Sequence, residues 1–138
     1  MSTLVKRRDL TTATLEKFRG KEFKWRECDC VKIARNHLIR AGHKLPRIPS
    51  YDTPKGALRA LKSKGWSSLD EMLDEFLTRV PPASMLPGDI ALMDGADGEL
   101  FDGLVISTGR QFFGFHQDAP GAVVVNARQI KAAWSIGI

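Results

Sequence analysis

The stretch Phe23–His43, "FKWRECDCVKIARNHLIRAGH", holds both cysteines of the chain and two of its three histidines. From Asp29 or Cys30 onward, Val31, Ala34, Leu38 and Ala41 recur at helical spacing, and Gly42 supplies a left-handed stop. The stretch therefore reads as a helix with a cysteine in its first turn. Unsatisfied backbone N–H groups and the helix dipole favour a thiolate there, so the pattern predicts a lowered pKa at Cys30. Nucleophilic catalysis would further need an imidazole within hydrogen-bond reach, a polar group to orient it, and donors for an oxyanion. The alternative is an amphipathic helix that only organises a core.

On the N-terminal side, a helix is expected from about Thr11 to Arg19, ending at Gly20. On the other side, "TPKGALRALKSKG" gives Thr53 as N-cap, Pro54 at the first helical position and Gly65 as terminator. Ser68 with Glu71 forms a capping box, and Leu69, Met72, Leu73, Phe76, Leu77 and Val80 make an amphipathic stripe ended by Pro81 and Pro82. The texture then changes. "GDIALMD", "GLVIST", "RQFFGFH" and "GAVVVNA" are short β-prone runs between Gly, Asp or Pro turns, and "AWSIGI" is one more strand after a brief turn at Arg128 to Lys131. Helices first and consecutive strands after predict an α+β fold, with N-terminal helices packed on a C-terminal, mainly antiparallel sheet. The loops are too short for a linker, so residues 1–138 read as a single domain.

Hydrophobic content of 43% and charged content of 27% are those of an ordinary globular protein, and no apolar run approaches the roughly 20 residues of a membrane span. "MSTLVKRRDL" lacks the apolar core and small-residue cleavage site of a classical secretion signal. The net charge of +5 is unevenly placed. Residues 1–65 carry 17 Lys and Arg against 6 Asp and Glu, a net +11, whereas residues 66–138 carry 4 against 10, a net −6. The first half is thus fitted to an anionic neighbour such as nucleic acid, a carboxylate-bearing wall polymer or an acidic protein, or it is simply a set of solvated helical faces. The absence of aromatic-interleaved basic strands and zinc-finger spacing argues against nucleic acid.

Other polar residues of the stretch read more plainly. His37 lies seven residues after Cys30, roughly 10 Å along the helix axis at 1.5 Å per residue, too far for a direct hydrogen bond. His43 follows the helix stop and reads as solvated. Cys28 and Cys30 lie too close in sequence for an unstrained disulfide, and with His37 they make only an incomplete ligand set for structural zinc. Both read as free thiols, Cys28 as a buried one, and neither metal nor cofactor is expected. Trp25 reads as a core anchor and Trp134 as the residue closing the sheet edge.

"FKWRECDCVKIARNHL" resembles the Trp, spacer, Asp-Cys signature that opens the catalytic helix of NlpC-type papain-like cysteine peptidases, and "PGDIALMD" resembles the Gly-Asp that starts their first core strand. More closely, the chain resembles small phage and prophage proteins of this superfamily encoded among tail-tip genes, which end in an Ala-Trp strand like "AAWSIG". The resemblance implies a papain-like fold, with Cys30 at the position of the nucleophile, Asp29 before it, and Gly88 and Asp89 as the strand-opening pair. It also implies a broken dyad. Active members carry His just before a Val-Gly-Ile-like run, and aligning that glycine with Gly103 in "LFDGLVIST" puts Phe101 at the His position, with Asp102 beside it. A phenyl ring accepts no proton. Val31 and Lys32 also replace the serine and glycine that often follow the nucleophile. His116 is the one candidate for a replacement base, with Gln117 or Asp118 to orient it.

Two roles follow from the resemblance. One is a degenerate scaffold built into a phage tail tip, docking on tail hub proteins, with the particle assembled in the host cytoplasm. The other is a virion-associated peptidase or amidase that cuts peptidoglycan through Cys30, its basic half facing the anionic wall. Phe101 in place of the histidine favours the first.

Overall fold

Side-chain oxygens at the N-caps set where three of the helices begin. Asp29 accepts from the Lys32 amide, Thr53 from that of Gly56 and Ser68 from that of Glu71. They open α2 (Cys30–Arg40), α3 (Pro54–Ser63) and α4 (Leu69–Phe76), while α1 (Thr3–Phe18) precedes them. The structure, a computed structural model, describes residues 3–24, 28–47, 49, 51–93, 103–115, 121–125 and 130–138. Among the described residues six strands follow the helices: β1 (Thr78–Arg79), β2 (Ile90–Met93), β3 (Gly103–Ser107), β4 (Phe112–Gly114), β5 (Val123–Val125) and β6 (Ile130–Ser135). They form one antiparallel sheet in the order β1-β6-β2-β3-β4-β5. The fold is α+β, as the order of helical and β-prone segments implies. Among the described residues no helix is long and apolar enough to cross a membrane.

Three elements differ from the sequence reading. Helix α1 starts at Thr3, not near Thr11. Its inward stripe is Arg7, Leu10, Thr11, Thr14 and Phe18, so its spacing is helical although three of the five residues are polar. Helix α4 stops at Phe76, and the residues read as its last turn instead form β1 on β6, where the Val80 amide donates to Ala133 O at 3.0 Å. Strand β6 begins at Ile130, within the expected turn, and β1 covers it. Trp134 is therefore inside the sheet and fully buried rather than at an edge.

Period-two alternation divides the sheet side chains between two apolar clusters. Ile90, Leu92, Leu104, Ile106, Phe113 and Trp134 belong to the main core with Leu10, Phe18, Ile33, Ala34, Leu38 and Leu73 of the helices. Ala91, Met93, Val105 and Phe112 form a second, smaller cluster. The Cα registers place Ile90 opposite both Ile106 and Trp134, so β2 lies centrally between its neighbours.

One polar cluster ties the first helix to the last strand. The buried Arg7 guanidinium pairs with Asp89 at 2.7 Å and also donates to Ile138 O at 2.8 Å and Pro87 O at 3.1 Å. Asp89 in turn accepts the amides of Leu86 (2.9 Å) and Ile136 (3.1 Å). A buried ion pair with this many hydrogen bonds meets the condition under which charges are tolerated in an interior. Gly88 beside it has φ +93°, and a Cβ there would meet Ile136 and Thr11 at 3.0 and 3.1 Å. A side chain at this position would face both strain and crowding.

Candidate functional site around Cys30

An isolated antiparallel bridge between Lys24 and Cys28 precedes the helix start. Lys24 and Cys28 exchange two backbone hydrogen bonds of 2.8 Å, and Phe23 ahead of them packs edge-on against Phe115 after β4, with centroids 5.1 Å apart. The chain then enters α2 through the buried Asp29, whose carboxylate accepts the Lys32 amide at 2.8 Å. Cys30 occupies the first helical position, half-buried, with the backbone of Leu104 on β3 in hydrogen-bonding reach of its sulfur.

Tyr51 completes this corner, and the sequence reading did not single it out. It is the chain's one tyrosine. It is buried with Ala57 and Ala60 of α3, and Gly56 leaves room for it, since a Cβ there would lie 3.3 Å from the Tyr51 Cβ. Burial, then the Asp29 carboxylate that its hydroxyl contacts, then Cys30 all push the phenol upward. The available signal was an isolated tyrosine in a proline-flanked loop just before a helix N-cap.

The electrostatics at Cys30 run against the helix-start expectation. Burial pushes the thiol up to about 12, and the Asp29 charge adds to the rise. Backbone groups of Leu104, Val31 and Cys30 itself pull the other way without prevailing. Desolvation of a thiolate outweighs the helix dipole here. Cys28 is also a free, buried thiol raised by burial.

The two described histidines are engaged elsewhere. His37 is fully buried, its Nδ1 2.7 Å from the Thr14 hydroxyl and its Nε2 2.8 Å from Gly88 O. A carbonyl only accepts, so Nε2 carries the proton and donates, while Nδ1 accepts from Thr14. Burial lowers His37 to about 4, with Arg40 helping and the Gly88 carbonyl and Asp89 opposing, so the ring is neutral at pH 7. His43, expected to be solvated, is half-buried and has Nε2 2.8 Å from Ile136 O. His116, Phe101, Asp102 and Trp25 lie outside the described residues. Gly88 and Asp89 do stand at the entry to β2, where they hold α1, α2 and the C-terminal segment together rather than reaching Cys30. Among the described residues no three of His, Cys, Asp and Glu gather as metal ligands.

A family model described as a domain of unknown function, DUF6950, matches residues 4–136. The chain belongs to this family. No curated protein matches it. For this DUF6950 chain, then, the chemistry has to be read from the corner that Asp29, Cys30, Tyr51 and Leu104 form. That corner holds a protonated thiol and a protonated phenol beside one carboxylate, an arrangement that packs and orients the start of α2.

Proposed function

We propose that this DUF6950 protein is a non-catalytic scaffold of papain-like descent, serving as a structural component of a bacteriophage tail tip and docking on the tail hub proteins. The observation that carries the reading is that both described histidines are bound to partners other than Cys30, and the direction in which burial pushes the Cys30 thiol, upward, agrees with it. A cysteine nucleophile works as a thiolate with an imidazole beside it. The Asp-Cys entry to α2 and its packing on β3 support papain-like descent, and the Phe101 substitution supports the loss of the base. The peptidoglycan peptidase or amidase reading would require His116 to activate Cys30.

The test is the pH dependence of Cys30 alkylation on a Cys28→Ser background, with His116→Ala as the paired control. The expected outcome is slow modification at pH 7, a titration above the ordinary thiol near 8.5, and no response to His116→Ala. A thiolate titrating well below that reference, and losing its shift in His116→Ala, would replace the scaffold reading with the enzymatic one. The tail assignment has a separate check. The protein should be present at fixed stoichiometry in purified particles, and its absence from them would sink that assignment.

A further inference from the structure

Helix α3, "PKGALRALKS", contains no acidic residue. Its inner side is formed by Ala57, Ala60 and Leu61, all buried, and Tyr51 packs with the two alanines. The opposite side is formed by Lys55, Arg59 and Lys62, at i, i+4 and i+7, a spacing that lines side chains up along one face of a helix. All three are exposed, and among the described residues none has an anionic partner. Asp52, just ahead of the N-cap, makes no ion pair with them. The acids of α4 are taken up elsewhere: Glu71 accepts the Ser67 amide, Glu75 the Trp66 indole N–H, and Asp74 both Arg79 and the Trp134 indole.

This face works against the helix that carries it. Lys55 stands in the first turn, at the positive end of the helix dipole, and it has Arg59 as a like-charged neighbour one turn on. Arg59 and Lys62 repeat the conflict. Helix α4 shows the favourable pattern instead, with Asp70 and Glu71 in its first turn. Local electrostatics opposed along a whole helix face, with nothing inside the chain to offset it, mark a surface whose compensation comes from outside.

We propose that the outer face of α3 docks an acidic helix of a partner protein. At 1.5 Å per residue the three cations are separated by about 6 and 4.5 Å along the axis. Carboxylates at i, i+4 and i+7 of a second helix laid along α3 repeat those intervals, so all three pairs form together, with Arg59 able to take its carboxylate through two parallel hydrogen bonds. A nucleic acid strand fits less well, because α3 has no aromatic side chain on which a base could stack. A bilayer surface fits less well too, because Leu58, at the margin of the face, is half-buried and no exposed apolar side chain of α3 is there to enter it. A second copy offering its own α4 would have to give up the bonds that its acids already make. The inference names the chemistry of the partner for the scaffold reading and rests on that reading.

The experiment is a titration of the full, isotope-labelled chain with a synthetic helical peptide carrying glutamates at i, i+4 and i+7 of one face. A peptide of the same composition with its glutamates spread around the helix, and one with Gln in place of Glu, serve as controls, and the amide resonances of Lys55 to Ser63 are followed. The phased peptide should shift these resonances, and the spread peptide should bind roughly fivefold more weakly. The Gln peptide should leave them unmoved. Arg59→Gln, at an exposed position, should weaken the phased peptide roughly threefold while leaving the amide spectrum folded. Lys55→Glu should weaken it as well and, with no peptide present, raise the melting temperature by about 1–3 °C, since it removes the conflict with the dipole and with Arg59. Equal binding of the phased and spread peptides, no shift along α3, a melting temperature that does not rise in Lys55→Glu, or a larger shift with single-stranded DNA or anionic vesicles would overturn the proposal. Cys30 alkylation on the same samples separates the two readings. A reactive Cys30 with a peptide-binding α3 removes the scaffold reading alone, and an inert Cys30 with a silent α3 removes the docking proposal alone.

Discussion

His37 illustrates how a residue type associated with catalysis becomes structural. Its two ring nitrogens bridge Thr14 on α1 and Gly88 before β2, while Arg40 donates to the same Thr14 hydroxyl at 2.9 Å. The ring is neutral in the folded state because its pKa there, about 4, lies below the ordinary 6.5. The unfolded chain therefore takes up a proton first as pH falls. The stabilisation from neutral His37 is complete above about pH 6.5 and is lost on the way down to pH 4, at up to about 1.4 kcal/mol per pH unit. Urea midpoints measured between pH 7 and 4 should fall in this window, and His37→Gln should be less stable at pH 7 but flatter across it. An equally steep decline in His37→Gln would place the titrating group elsewhere. Tyr51 makes the converse point: no motif marked it, yet it sits between Asp29 and α3 at the corner where Cys30 begins its helix.

At the scale of elements, legibility followed how closely side-chain pattern and burial coincide. Strands β2 to β5 were readable because β-prone runs such as Val123 to Val125 lie between Gly, Asp or Pro turns, and α2 to α4 because their caps and stops are explicit. The first turns of α1 were not, since Arg7 and the threonines entered the interior through hydrogen bonds that no apolar period reveals. Leu77 and Val80 continued the α4 spacing, but pairing with β6 took precedence over it. The start of α2 at Cys30 was legible from the helical spacing that begins at Val31. The raised Cys30 thiol was not, because burial depends on β3 and Tyr51, both distant in sequence. Docking between elements also rests on small residues. The loop after α1 pairs with the approach to β5, Gly20 donating to Ala122 O at 2.8 Å and the Ala122 amide to Lys21 O at 2.9 Å. A Cβ on Gly121 would collide with the Gly20 and Lys21 backbone. Gly121→Ala should cost about 1–3 kcal/mol and speed amide exchange at Gly20 and Ala122, and an unchanged exchange rate would show that the contact is dispensable.

Across the whole molecule, a helical half rich in cations lies in one chain with an acidic sheet-bearing half, yet the pair that joins their extremes is buried. Arg7 and Asp89 are the polar link between α1, the entry to β2 and the chain around Ile136 to Ile138. Arg7→Met leaves Asp89 as an uncompensated buried charge, and the loss should be about 3–5 kcal/mol in urea unfolding. A loss below about 1 kcal/mol would mean that Asp89 regains solvent without disturbing the fold. The same cluster has a mechanical consequence. Because Arg7 bonds at once to Asp89, Pro87 O and Ile138 O, parting α1 from this corner breaks that handful of hydrogen bonds and none of the sheet ladders.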